Sequence, residues 1–439
     1  MEELAVVQNP WWSDADAIYL DDKVKRALSR EPKLLYRFEP VNKILIGPRQ
    51  VGKTTYMKLS IAHLIESGVS PRNIMYFSCD LLRDYKEIVS VVRSFLRRTT
   101  GKSYVFLDEV TFVDGWERAV KFLLDSPLAS RMVLQVTGST SAGLKRESFP
   151  GREIKVEEFL PLDFRLVAFV YRSWVRKIKL PHENPTTPRE FYENALELYP
   201  YLDELLGVFD LYLNSGGYPR AIYELLAGEI SPETYEMVYN ATVLDVVKLG
   251  RSERIALSLI LGLLRRYGDR LSLNSLAKEL EIGSHVTVRD YLELFEELFI
   301  GRNYFQVRLH DMTPLFRRER KFYFLDPLLV RTFSRLFGVA VDESRVVEGV
   351  VGEHLSRLFP TYYFYGSKEV DFIAGNLGVE VKWRKSVSLS DFPRVGIKNK
   401  ILLSKADIDF VEPRNLAIIP VPLFLFQLHS ASSNLATVS

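Results

Sequence analysis

The segment GPRQVGKTT at residues 47–55 constrains this chain more than any other feature. It lies between an apolar run, VNKILI, and an amphipathic stretch, TTYMKLSIAHLI. A strand that ends in a glycine-rich turn and restarts as a helix aims backbone N–H groups and the positive end of the helix dipole at one spot, which suits a polyphosphate. Gly47 and Gly52 permit the turn, and Pro48, Arg49, Gln50 and Val51 complete the loop. Lys53 is placed to reach the β- and γ-phosphates. Thr54, followed by Thr55 at the helix start, is the expected protein ligand of magnesium. The expected ligands are therefore ATP or ADP and Mg2+.

Further along, SYVFLDEV places Asp108 at the end of an apolar strand with Glu109 beside it. In a parallel sheet ligands collect at the carboxyl ends of the strands, so Asp108 should arrive next to the phosphate loop as a magnesium carboxylate. Glu109 can then orient or deprotonate an attacking water. The next strand, RMVLQVTGSTS, ends in hydroxyls, and either Thr137 or Ser139 could bond that water or the γ-phosphate; a Ser/Thr-rich turn would look the same. Arg152 in PGR and Arg220 after GGYP are cations that could pair with a phosphate, or plain surface arginines.

A chain of 439 residues is long enough for two to four domains. A formal charge of +2 gives no global pull toward nucleic acid or membrane, so any basic surface must be local. The single cysteine, Cys79, excludes a disulfide framework and a thiolate zinc cluster and fits a cytoplasmic setting. The start, MEELAVVQNPWW, lacks the basic and apolar regions of a signal peptide, and the apolar run at residues 416–428 is broken by Pro420 and Pro422, so no membrane span is expected. Abundant Lys, Arg, Glu and Tyr with little Cys or Met match a thermophilic source.

The first third alternates apolar runs (VNKILI, NIMYFSC, SYVFLDEV, RMVLQVTG, REIKVEEF) with amphipathic stretches, the pattern of an α/β domain with a parallel sheet, over residues 1–165. Residues 166–250 read as a helical lid or linker. Residues 251–312 read as a winged-helix module, with Ser284 capping a second helix whose first turns carry His285, Thr287 and Arg289; packing between domains is the alternative to DNA readout. Residues 313–430 return to α/β character, and 431–439 form a polar tail expected to be disordered.

GPRQVGKTT, FLDEV, VTGSTS, GR followed by EEFLPLDF, and GGYPRAI together resemble the archaeal and bacterial AAA+-type P-loop ATPases over roughly residues 10–250. The resemblance implies Ser139 as a first sensor, Arg220 as a lid sensor and Arg152 as a finger acting across a subunit boundary. It therefore implies a homo-oligomer, such as a hexamer. NPWW at residues 9–12 resembles the family's N-terminal box near the base pocket; two aromatic anchors packing a core would read alike.

EVDFIAGNLGVEVKWRK reads as a hairpin turning at Gly375 and Asn376, with Ala374 facing Leu377 and Phe372 facing Val379. One face is then apolar, while Glu369, Asp371, Glu380 and Lys382 gather on the other. Two opposed carboxylates repel unless they share a cation. The arrangement resembles the PD-(D/E)XK nuclease core, which implies a restriction-endonuclease-like domain, Asp371 and Glu380 as ligands of a second Mg2+ or Mn2+, Lys382 as a charge stabiliser and Glu353 as an additional acid. A plain amphipathic hairpin with a solvated outer face is the alternative. The combined expectation is an ATPase acting on or with DNA and coupled to a nuclease-like domain; a nucleotide-dependent switch or a winged-helix transcription regulator are its rivals.

Overall fold

The computed structural model describes residues 2–141, 149–429 and 435–437. The chain divides into two compact units, Met1–Leu160 with Ala431–Ser439, and Pro161–Ser430.

In the first unit the five apolar runs read as strands form a single sheet, in the order Ile74–Ser78, Ser103–Asp108, Met132–Gly138, Lys43–Ile46, Lys155–Glu158. All four pairings are parallel. Met132–Gly138 is buried along its whole length, as a strand covered on both faces must be. The helix Lys53–Glu66 follows the loop and packs Tyr56, Met57, Ile61 and Leu64 into the core.

Residues 9–12 do something other than the resemblance implied. Asn9 Nδ2 donates to the carbonyls of Ala5 and Tyr76 at 2.6 and 2.8 Å, and its Oδ1 accepts from Tyr76 N–H at 2.6 Å. The indoles of Trp11 and Trp12 both donate to the Ile74 carbonyl, at 3.0 and 2.7 Å. Ile74–Ser78 is the sheet's outer strand, three places from the loop strand. The box is therefore an edge clamp: an open strand edge presents unpaired donors and acceptors, and an Asn amide supplies one of each.

The expected disordered tail is corrected in part: Leu435–Thr437 pairs antiparallel with Leu34–Tyr36, because a short apolar segment can close an open backbone ladder. Residues 431–434, 438 and 439 lie outside the described residues.

The second unit begins with the expected helical stretch: Phe164–Tyr171, Pro188–Leu198, Leu202–Ser215, Pro219–Leu226 and Pro232–Lys248. Thr187 and Glu190 form a capping box with Pro188 at the first helical position, so NPTTPRE starts a helix for a local reason. These helices are not a separate lid. Phe191 packs on Phe424 with ring centroids 5.0 Å apart, and its carbonyl accepts from Gln427 Nε2 at 3.1 Å. The apolar run at residues 416–428 becomes a strand, Leu416–Pro420, and a fully buried helix, Val421–Gln427, that the early helices cover. Local periodicity identifies an apolar helix face but not the distant segment that buries it.

Helices Glu253–Arg265, Leu273–Glu279 and His285–Glu297 precede an antiparallel pair, Gly301–Phe305 with Arg320–Phe324, and Leu271 bridges to Arg320. A boundary at residue 312 would cut this pair in two, so the helix-and-hairpin segment runs to Phe324. A six-stranded mixed sheet follows, ordered Thr361–Tyr365, Glu369–Ala374, Leu377–Val381, Asn399–Ser404, Leu416–Pro420, Asp409–Val411. The hairpin register is the one expected, Phe372 with Val379 and Ala374 with Leu377. Gly375 sits at φ +57°, where a residue with a Cβ is strained.

Candidate functional site

The phosphate loop leaves the carboxyl end of Lys43–Ile46 between its neighbours Met132–Gly138 and Lys155–Glu158. Its glycines are required by geometry. A Cβ on Gly47 would lie 2.0 Å from the Phe159 carbonyl oxygen, and Gly52 has φ +106° immediately before the helix. Lys53 is buried and its ammonium donates to the carbonyls of Gly47 and Pro48, each at 2.7 Å.

Thr54 and Asp108 meet as expected. Thr54 Oγ1 donates to Asp108 Oδ2 at 2.7 Å, and Tyr76 OH donates to the same oxygen at 2.8 Å. A very short bond from the Thr137 hydroxyl holds Oδ1. Burial, then the Asp108 charge, push the Tyr76 hydroxyl up, which keeps it a donor. A hydroxyl beside an oriented carboxylate at a helix N-terminus is an oxygen-only donor set, the kind Mg2+ takes, so these residues fit that ion.

Glu109 sits in the left-handed region at φ 56°, strained for a residue with a side chain, and its N–H donates to Thr137 Oγ1 at 3.2 Å. Its Oε2 is buried without a hydrogen bond among the described residues, 3.9 Å from Arg49 Nη2. The Arg49 guanidinium lies over the Phe112 ring, 5.7 Å from its centroid. Glu109 thus keeps an open acceptor close to the loop.

Of the two hydroxyls left open by the sequence, Thr137 touches both acids. Ser139 is fully buried, its N–H donates to Thr111 Oγ1 at 3.2 Å and its Oγ is unpaired among the described residues. Among the described residues no bond ties Arg152 to the loop: Asp125 grips it through Nε at 2.8 Å and Nη2 at 2.5 Å. Arg220, in the second unit, donates to Glu224 Oε1 at 2.8 Å. The sequence reading missed Tyr76 and the Arg49–Glu109 contact. Tyr76 lies in an apolar strand run, where a lone tyrosine reads as core.

The second cluster of carboxylates is built differently. Asp371 and Glu380 are 7% and 5% exposed, so the hairpin's charged face is buried and the solvated alternative fails. Asp371 N–H donates to Glu380 Oε2 at 3.3 Å, Val381 N–H to Asp371 Oδ2 at 2.9 Å, and Lys382 Nζ to Glu380 Oε1 at 2.5 Å. The helix Glu343–Leu358 contributes Glu348 and not Glu353. Glu353 is held by Arg357 Nε at 2.8 and 2.9 Å and lies 3.5 Å from His354 Nδ1. Five residues turn the chain roughly 140° around a helix, so the two acids cannot share a face. Burial pushes the Asp371 and Glu380 carboxyls up, and neighbouring Glu348 adds to both shifts.

The expected divalent ion does not fit this cluster. Lys321 Nζ, wholly buried, lies 2.8 Å from Glu348 Oε1, 2.6 Å from Glu369 Oε1 and 3.7 Å from Asp371 Oδ1. Among the described residues no group of three or more His, Cys, Asp and Glu is arranged to hold a metal. Nor is any described helix long and apolar enough to cross a membrane.

Residues 40–167 match the family model of an AAA domain, and residues 207–339 match a domain of unknown function (DUF8612). An uncharacterized protein of Haemophilus influenzae is 24% identical over 373 residues, 80% of this chain and 84% of that protein. The uncharacterized protein MJ1544 of Methanocaldococcus jannaschii is 23% identical over 273 residues, 59% of this chain and 55% of that one. Among solved structures, AMPPCP-bound DnaA from Aquifex aeolicus is 15% identical with a TM-score of 0.28, covering 64% of this chain and 86% of DnaA. A Thermotoga maritima RuvB is 16% identical with a TM-score of 0.24, covering 65% and 88%. Scores this low carry no argument about function. The family match falls on the loop, the Asp108 strand and the hydroxyl-ended strand together, and on that ground the first unit contains an AAA domain.

Proposed function

We propose that the chain is an ATPase: it binds ATP with Mg2+ at residues 47–55 and hydrolyses the γ-phosphate. The observation that carries this reading is the arrival of Lys53 and Thr54, and of Asp108 and Glu109, at the carboxyl ends of two strands of one parallel sheet that flank Met132–Gly138, with Thr54 bonded to Asp108 at 2.7 Å. Loop N–H groups and the Lys53 ammonium would bind the phosphates, and Thr54 and Asp108 would hold the ion. When bound, Mg2+ neutralises charge on the phosphates. Glu109, with its open Oε2, would orient the attacking water and accept its proton, and Thr137 would keep both acids in place. Lys53→Ala is expected to abolish nucleotide binding, whereas Glu109→Gln retains binding and blocks turnover. Equal hydrolysis by Glu109→Gln and wild type would remove Glu109 from the mechanism.

DNA is the proposed partner of this cycle. The support is three helices followed by an antiparallel hairpin, the element order of a winged-helix module, with His285 exposed on the first turn of the helix His285–Glu297. Arg289 is tied to Asp290 at 3.0 Å and Glu293 at 3.8 Å, so the reading rests on His285. Stimulation of turnover by duplex DNA, weakened by His285→Ala, is expected; slow hydrolysis indifferent to DNA would point to a nucleotide-dependent switch. Ser139 as sensor, Arg220 as lid sensor and Arg152 as a finger in a homo-oligomer belong to the same proposal. Mixing Arg152→Ala with Glu109→Gln subunits should then restore activity, and a fully active monomer would defeat it.

A further inference from the structure

Each acid around Asp371 is met by a cation of the chain itself. Glu348, Glu369, Asp371 and Glu380 face Lys321, Lys382, Arg345 and Arg270: Arg345 Nη1 lies 3.1 Å from Glu348 Oε2, and Arg270 Nε 3.3 Å from Glu369 Oε2. Tyr323 OH donates to Glu348 through a very short bond. Lys321 and Tyr323 alternate with Phe322 and Phe324 along the strand Arg320–Phe324, so one face of that strand serves the acids while the other packs against Phe295 and Phe333. Lys321 comes from outside the EVDF…EVKW hairpin, from the strand that closes the helix-and-hairpin segment.

We infer that Lys321 is the resident cation of this cluster: its ammonium takes the position a divalent ion would need, so the wild-type cluster excludes Mg2+ and Mn2+, and removing the ammonium opens a cation site. An incoming ion of charge +2 would have to displace a fully buried ammonium that already satisfies Glu348 and Glu369, or share a dry site with it, and either step is costly. Without Lys321, Glu348 and Glu369 lose the ammonium they share and Asp371 loses the cation 3.7 Å away. Burial opposes the ammonium, yet Glu348, Asp371 and Glu369 together hold Lys321 in its charged form at any ordinary pH. The hairpin's carboxylates then serve as an anchor for the strand Arg320–Phe324, and phosphodiester chemistry at them is silenced from a distance in sequence.

The test is titration of the full-length protein with Mn2+, followed by electron paramagnetic resonance of the free ion, with no nucleotide present and in a Lys53→Ala background. Wild type is expected to show no saturable site that depends on Asp371. Lys321→Met, which keeps the side-chain volume, is expected to gain one site that is at least about tenfold tighter than any wild-type binding and is lost again on adding Asp371→Asn. A wild-type site removed by Asp371→Asn would overturn the inference, as would a folded Lys321→Met protein that gains none. If Lys321→Met does not fold, the wild-type titration against Asp371→Asn decides alone: equal binding supports the resident cation, and Asp371-dependent binding sinks it.

Discussion

Two pairs of acids, Asp108 with Glu109 and Asp371 with Glu380, sit at strands of two different sheets, and each lies near a lysine in the sequence or the fold. At the first, the lysine bonds backbone carbonyls of its own loop, the Asp108 oxygens are held by neutral hydroxyls, and Glu109, although 3.9 Å from Arg49 Nη2, keeps an oxygen with no hydrogen bond among the described residues. At the second, every acid is met by a side-chain cation from the protein itself. Neutral partners orient a carboxylate and leave its charge available; ionic partners consume it. Whether a cluster of acids can recruit a cation therefore depends on what its hydrogen bonds come from, more than on the motif that supplies it.

The sharpest way to break this comparison is to delete each lysine. Lys321→Ala should destabilise the second unit by about 3–5 kcal/mol, the usual cost of stripping one partner from a buried ion network. Chemical denaturation reads this directly, and a loss below about 1 kcal/mol would mean the network holds nothing in place. Lys53→Ala should cost the first unit less stability than Lys321→Ala costs the second, yet weaken ATP–Mg2+ binding by about 100-fold or more, measured with a fluorescent nucleotide, because its ammonium is placed to meet phosphate charge. Reversed outcomes for the two lysines would invert the assignment.

A smaller effect comes from Asp326, an acid with no side-chain cation bonded to it among the described residues. It accepts from Gly217 N–H at 2.8 Å and Leu328 N–H at 2.8 Å, and it fixes the GGYPR turn: a Cβ on Gly216 would fall 1.7 Å from its Oδ1. Burial raises its carboxyl to about 7 despite these bonds. A folded-state value above the unfolded one means that its contribution is complete below about pH 4 and is lost as pH rises through about 7. Stability should fall across that window with a slope of at most about 1.4 kcal/mol per pH unit. Asp326→Asn, which keeps one of the two acceptor oxygens and removes the titration, should flatten that part of the profile; an unchanged slope would show that the proton binds elsewhere.

Much of the first site was legible in the sequence because its parts are local. GPRQVGKTT carries its own strand, turn and helix start, and FLDEV ends a strand that a parallel sheet must deliver to the same edge, so Lys53, Thr54 and Asp108 converge as expected. The hairpin around Gly375 was legible for a similar reason, since a two-residue turn fixes the register of both arms. The tertiary structure decided what meets these segments from afar. It set NPWW against an outer strand, chose Thr137 to hold Asp108, swapped Glu353 for Glu348 by helix phase, and folded the early helices onto residues 416–428. Lys321 lies about fifty residues before Asp371 in a run that reads as an ordinary buried strand, and no local pattern relates the two. Periodicity along a chain fixes which face a side chain takes, but the charge waiting opposite that face comes from packing.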